Sequence, residues 1–230
     1  MFEMSNVYFI SDTHFGHKNI LKYEPIRIDF VAKFMSEHGS RKTFDEAREF
    51  LIRCNATGEN VETMLYWHDE ALIDAWNSQV KDDDVVWFLG DFSFKDTKGA
   101  QEIGSRLKGH KRMLIGNHDR QKIDFYYTCG FEYVSPVPII LKRKFILSHA
   151  PIFVDYEKDK NGNTVRVDLS IGHFFNIYGH VHNHQDFNTI DDKSACVCVE
   201  RTNFTPIRLH VFDAYQEVKE GNPAKERRKI

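Results

Sequence analysis

Apolar runs interrupt this polar chain at residues 7–10, 85–89, 113–115, 145–147 and 174–178, and all five are rich in β-branched, aliphatic or aromatic side chains. Continuous runs of this length predict strands buried on both faces. Residues 24–80 follow a helical period instead. Thr43, three places before Glu46, resembles a capping box opening a helix over residues 47–54. A second helix starting near Asn60 places Leu65, Leu72, Trp76 and Val80 on one stripe, which reads as core. Asp159-Lys160-Asn161-Gly162-Asn163 signals a hairpin or surface turn, and residues 195–200 and 206–212 read as closing strands. Strands alternating with helices at the front and strand-rich sequence at the back predict an α/β fold, or α+β on a stricter definition. The expected organisation is one domain over 1–230, with a helical insertion at about 24–80 and a charged tail from about 217.

Each of the five apolar runs is followed at once by metal-seeking residues: Asp12-Thr13-His14, Gly90-Asp91, Gly116-Asn117-His118-Asp119, Ser148-His149 and Gly179-His180-Val181-His182. A turn after a buried strand delivers its side chains to the carboxyl edge of a sheet, where ligand sites of α/β proteins collect. Side chains alternate on extended backbone, so the i, i+2 pairs Asp12 with His14 and His180 with His182 are each expected to point one way and chelate together. Carboxylate, imidazole and carboxamide donors without thiolate suit divalent manganese, iron or zinc. There are more donors here than one tetrahedral ion takes, which favours two ions about 3.5–4 Å apart sharing a carboxylate, with Asp91 the best candidate for the bridge.

The ordered series D-x-H, G-D, G-N-H-D, S-H and G-H-x-H, running from about Val7 to His182, resembles the calcineurin-like metallophosphoesterase superfamily. The opening Ser11-Asp12-Thr13-His14-Phe15-Gly16-His17-Lys18-Asn19-Ile20 is similar to that of its small bacterial and phage-type phosphoesterases. The resemblance implies two packed mixed sheets flanked by helices, a four-layer sandwich. It also implies Asp12, His14 and His182 on a first ion, Asn117, His149 and His180 on a second, and Asp91 on both. The expected cofactors are two divalent ions, manganese foremost and iron, zinc or nickel within range. The substrate implied is a phosphate ester, attacked by a metal-bridging hydroxide while His118 protonates the leaving group, a task suited to an imidazole. Where the Ser/Thr phosphatase branch continues G-D-x-x-D-R-G, this chain reads Gly90-Asp91-Phe92-Ser93-Phe94-Lys95-Asp96. Phe94 replaces the acidic partner of the catalytic histidine, leaving Asp119 or a backbone carbonyl to orient His118. Lys95 replaces a phosphate-gripping arginine and, with His17, is a candidate substrate contact, although a solvated loop lysine and a loop-ordering histidine are the plainer readings. His173 and His184 read as loop-ordering or as support for ligands.

These departures favour a phosphodiesterase over a phosphomonoesterase. A nuclease ranks lower, because no broad basic surface accompanies the formal charge of −3 and the short basic run at Lys225, Arg227, Arg228 and Lys229 reads as a solvated end. A metal-binding scaffold is the alternative from another class, disfavoured because a scaffold has no use for a leaving-group acid at His118. The local field of two ions would still attract phosphate. A chain of 230 residues with 41% hydrophobic content buries a sizeable core, no apolar run is long enough for a bilayer, and the start lacks signal-peptide character. The expectation is a cytoplasmic enzyme with no membrane partner and four reduced, packed cysteines. The insertion, through its loops at 38–40 or 55–58, is expected to lie over the metal edge and limit substrate size.

Overall fold

In the computed structural model, which describes residues 5–39, 43–168 and 172–219, the apolar runs become the strands of two mixed sheets. Strands β1 (Val7–Ile10), β2 (Val85–Phe88), β3 (His110–Leu114) and β4 (Phe131–Ser135) are parallel neighbours, and β11 (Ile207–Arg208) lies antiparallel on the outer edge of β1. The second sheet orders β10 (Ser194–Cys196), β9 (Phe175–Tyr178), β6 (Phe145–Ser148) and β5 (Ile139–Leu141), with only the β5–β6 pair antiparallel. A separate hairpin of β7 (Val154–Lys158) and β8 (Thr164–Asp168) turns at Asp159, whose side chain accepts from the amides of Asn161 and Asn163. That is the turn the sequence signalled.

Apolar side chains pack on both faces of the first sheet, as the apolar runs of β1 and β2 require. Phe9, Trp87, Leu89 and Leu114 point between the sheets toward Phe145, Leu147, Phe175 and Ile177. Tyr8, Ile10, Val86, Phe88 and Met113 face a second layer that includes Ile103 of helix α5 (Thr97–Arg106) and Tyr126 of α6 (Ile123–Thr128). Burying a side chain of this size is worth about 1.5–3 kcal/mol.

The insertion is helical, as the pattern predicts: α1 (Ile20–Tyr23), α2 (Ile26–Glu37), α3 (Phe44–Thr57) and α4 (Val61–Gln79). Thr43 caps α3 by accepting from the Glu46 amide at 3.2 Å. The stripe on α4 divides between two cores. Leu65 joins Val31, Met35 and Leu51 within the insertion, while Leu72, Trp76 and Val80 pack on the first sheet. Contact between the insertion and the strand-end loops comes from buried helix side chains, Arg27, His68 and Asp69. The loop after α2, whose Ser40 is outside the described residues, begins about 16 Å along the helix axis from Arg27.

Two strand assignments need correction. Residues 209–212 are not strand: after β11 the chain turns into α7 (Leu209–Lys219), and Leu209 and Phe212, three apart, bury together against Phe9 and Phe175. A period of three or four wins there over β-propensity. Likewise, β10 stops at Cys196, and Val199–Arg201 forms a 3₁₀ turn that redirects Glu200 inward. The basic run Lys225–Lys229 falls outside the described residues. Among the described residues no helix is long and apolar enough to cross a membrane.

Candidate metal centre

Register determines where the five motifs meet. Near the carboxyl ends of β1, β2 and β3, Phe88 pairs with Ile10 on one side and Met113 on the other, and at the ends of β6, β9 and β10, Tyr178 pairs with Ser148 and Cys196. The two edges are joined where the Ser11 amide donates to the Val197 carbonyl (3.0 Å) and the Val199 amide to the Ser11 carbonyl (3.2 Å). Past β1 and β2 the loops stay paired, with amide donations from Asp12 to Gly90 (2.9 Å), His14 to Asp91 (3.1 Å) and Phe15 to Phe92 (3.0 Å).

Two triads result, Asp12/His14/His182 and Asp91/His149/His180. In the first, His14 Nε2 lies 3.2 Å from His182 Nε2, and these nitrogens lie 3.8 and 3.6 Å from Asp12 Oδ1. In the second, Asn117 Oδ1 sits 2.7 Å from His149 Nε2 and 2.9 Å from His180 Nδ1. Asp91 links them, its Oδ2 standing 3.6 Å from both His14 Nε2 and His149 Nε2. Donors bound at 2.0–2.2 Å to one ion stand roughly 3–4 Å apart, so the spacings fit divalent ions. A second observation agrees: Asp12 Oδ2 accepts from the His180 amide (2.8 Å) and the Cys198 thiol (3.2 Å), whereas the fully buried Oδ1 has no hydrogen-bond partner. A buried carboxylate oxygen left without a donor is costly unless a cation faces it.

The i, i+2 argument fails for one pair. Asp12 and His14 share a triad, but His180 and His182 serve different ones; the backbone at the latter pair is left-handed rather than extended (φ 72° and 45°), so strand alternation does not apply there. Asp12, His14 and Asp91 are left-handed too (φ 59°, 50° and 62°). Each such residue costs on the order of 1–3 kcal/mol, a strain that collects at functional sites. The glycines permit close approach: a Cβ at Gly116 would overlap Asp91 Oδ1, and one at Gly179 would overlap Asp12 Oδ2 and Ser11 Oγ.

Behind the first triad lies a polar network with no motif in the sequence. His182 Nδ1 is 3.1 Å from Glu200 Oε1, and that same oxygen accepts from Arg27 Nε (2.7 Å) and Nη2. The Arg27 guanidinium, fully buried, also donates to the carbonyls of Asp12 (2.7 Å) and Thr13 (2.8 Å) and meets His68 Nε2 at 3.0 Å. A carboxylate on the far nitrogen fixes the tautomer and ring orientation of a metal-binding histidine. Burial by itself would raise the Glu200 pKa, but the Arg27 charge and the His182 hydrogen bond bring it down to about 2. Against its own burial, His182 is lifted to about 9 by Glu200 and Asp12. Burial depresses His14 and His180, with His149 adding to the latter. Asp12 is held well below the usual carboxylate range, its burial outweighed by His14, His182 and His149.

The remaining candidates divide. His118 belongs to neither triad; its amide donates to Asp91 Oδ1 (2.9 Å), and its ring stands 5.6 Å from that of His14. Asp119 does not orient it. Both Asp119 oxygens are taken by backbone amides, of Asp91 (2.7 Å), Gly116 (2.8 Å) and Phe92 (3.0 Å), so the residue ties together the loops after β2 and β3, and burial raises its pKa to about 6. Neither a solvated lysine nor a free substrate contact, Lys95 pairs with Asp69 at 3.0 Å and packs over Gly16. His17 lies beside Phe94, ring centroids 4.2 Å apart, and burial next to His14 and His118 lowers it to about 4. His173 stacks on Phe174, and His184 approaches Asp186 at 3.7 Å. Arg27, His68 and Glu200 escaped sequence reasoning because they are separated by 41 and 132 residues; a charged Arg27 inside an apolar helical stripe was the available signal.

No family model matches the chain. A protein of unknown function from Aquifex aeolicus, AQ665, superimposes with a TM-score of 0.55 over 92% of this chain and 100% of its own at 22% identity, a likeness of fold. The Gene 66 protein of Mycobacterium phage L5 is 29% identical over 199 residues, 78% of each chain. The uncharacterized protein MJ1445 of Methanocaldococcus jannaschii is 31% identical over 217 residues, 91% of this chain and 90% of its own, and this chain belongs to the same family as that archaeal protein.

Proposed function

We propose that this protein is a dinuclear metal-dependent phosphoesterase of the calcineurin-like type, acting on phosphodiesters of small or nucleotide-like alcohols. The observation that carries the reading is the position of Asp91 Oδ2, 3.6 Å from a histidine of each triad, as a carboxylate shared by two ions requires. Asp12, His14 and His182 would hold one ion, Asn117, His149 and His180 the other, and Asp91 both; oxygen and imidazole donors without thiolate favour manganese, with iron, zinc or nickel in range. When bound, such a pair supplies Lewis-acid polarisation of the phosphate and an activated water.

The chain's own residues supply the remainder. Asp12 and Asp91 set the charge of the pocket. His118, outside both triads and near their shared edge, holds the proton that the leaving oxygen needs. Lys95 is engaged with Asp69, so no extra cation of the loop after β2 is available for the second charge of a monoester dianion, which supports diesters. An intracellular setting is part of the proposal, supported by four free, buried cysteines.

The test is hydrolysis of bis-p-nitrophenyl phosphate beside p-nitrophenyl phosphate, using manganese-reconstituted and chelator-stripped protein. Metal-dependent turnover favouring the diester is expected; monoester preference would replace the diester reading, and no turnover of either would overturn both. His118→Ala should abolish most turnover while two ions stay bound, whereas a scaffold would be indifferent.

A further inference from the structure

Two residues beyond a phenylalanine that is fully buried, Phe94 stands 42% exposed on the loop after β2. Core packing does not account for it. One face stacks on His14 (centroids 5.5 Å apart, interplanar angle 27°), and the ring lies 5.4 Å from His118. His17 also lies against the ring at 4.2 Å, followed at 5.9 Å by Tyr23, which ends α1 and is 63% exposed. Four rings, Tyr23, His17, Phe94 and His118, are therefore linked in successive contact from an exposed tyrosine to the edge of the first triad.

The series is held in place. The Phe94 amide donates to the Phe15 carbonyl at 2.8 Å, Phe15 and Ser93 form a bridge, and the Lys95–Asp69 pair fixes the next residue while Asp69 also receives the Gly16 amide at 3.0 Å. A rigid exposed ring binds a planar ligand with little ordering cost. Its location adds chemistry: whatever is esterified to a phosphate at the triads, on the side from which His118 delivers its proton, must lie against Phe94.

We infer that Phe94, with Tyr23 as its outer continuation, is a stacking shelf that selects phosphate esters whose alcohol carries a planar ring, a nucleobase above all. The inference rests on the phosphoesterase reading for its orientation and on the ring geometry for its existence. Base–aromatic stacking is worth about tenfold or more in affinity per base and tolerates base identity, because every base has a π-face. The shelf thus selects nucleosides as a class rather than one base.

Calorimetric titration of the manganese-loaded protein with adenosine 5′-monophosphate and with ribose 5-phosphate tests it, since the two probes share a phosphate and a sugar and differ in the ring. The nucleotide should bind about tenfold tighter or more, a preference that falls within twofold in Phe94→Ala, returns in Phe94→Tyr and weakens severalfold in Tyr23→Ala. Phe94 is surface-exposed, and Phe94→Tyr controls for local collapse. Equal affinities in the unmodified protein, or a preference that survives Phe94→Ala, would overturn the shelf. The two readings fail separately: a Phe94-dependent preference without turnover of any diester keeps the shelf and removes the hydrolase, and turnover with an affinity ratio near one does the reverse.

Discussion

Asp12, His14 and His182 are backed by a buried scaffold of Glu200, Arg27, His68 and Cys198, whereas in the second cluster His180 and Asn117 are exposed and the half-buried His149 rests on a backbone carbonyl. His182 is oriented by a carboxylate; His149 has only the Leu89 carbonyl, 2.8 Å from Nδ1, and His180 and Asn117 are exposed. All three residues of the first triad are left-handed, so its donors are aimed at the cost of backbone strain. Similar donors in different surroundings should bind differently: a preorganised cluster holds its ion, and an exposed one with mobile side chains exchanges it. On the proposed reading, the site has one firmly backed position and one less supported position joined at Asp91.

Removing the joint has the largest expected effect. Asp91→Ala deletes the only carboxylate within reach of both triads among the described residues, so manganese content should fall at both positions and diester turnover by at least ~10³-fold, from the several kcal/mol that a metal pair contributes. A variant that keeps two ions by elemental analysis and loses less than tenfold in rate would show that the triads are independent.

The next test breaks the scaffold while sparing every donor. Arg27→Met strips the fully buried Glu200 of its guanidinium partner and leaves only His182 beside it, which costs about 3–5 kcal/mol. Urea unfolding of the metal-free protein should show that loss, and adding Glu200→Gln should restore part of it by removing the stranded charge. A midpoint close to the parent's would mean that water already compensates Glu200.

Within a folded protein, Glu200→Gln sharpens the contrast between positions. Without the carboxylate on its Nδ1, His182 is less well aimed and a weaker base, and manganese affinity at the tighter position should drop about 10–100-fold. Asn117→Ala should instead weaken the looser position alone. A calorimetric titration resolving two events would see the first substitution move only the tight one; equal weakening of both would erase the asymmetry.

The legibility of the molecule follows the same division. The donors were readable because each follows an apolar strand, and in a parallel sheet shared register carries the ends of such strands to one edge. The helical insertion was readable from its cap at Thr43 and the stripe on α4. What supports the donors was not, because Arg27 and Glu200 meet only through tertiary folding and neither belongs to a local pattern. Asp119 was misjudged for a related reason. A carboxylate beside a motif looks catalytic in sequence, and only the structure reveals the amides already using it. Backbone conformation was equally hidden: His180 and His182 are left-handed rather than extended, so strand alternation was no guide to which triad each joins.

The smallest effect, and the one that separates the two positions most cleanly, is the pH dependence of the metal-free protein. His182, raised to about 9, contributes stability that is fully present below its unfolded value of 6.5 and is lost as the pH climbs through about 9. His14 and His180 are depressed by burial, so they do the opposite: below 6.5 the unfolded chain takes up protons that the fold refuses, and stability falls. Thermal unfolding of the stripped protein should therefore peak near pH 6.5–7 and decline on both sides. The alkaline decline, of about 1–2 kcal/mol for a side chain one-fifth exposed, should lower Tm by roughly 2–8 °C. Glu200→Gln should shrink that limb alone, because one of the two carboxylates that raise His182 is gone while Asp12 remains, and the acid limb should persist. Manganese should flatten it as well, since an ion requires neutral His182 and removes the proton from the balance. An alkaline limb identical in the parent and Glu200→Gln proteins would locate the titration elsewhere and leave the firmly backed position without the electrostatic signature that distinguishes it.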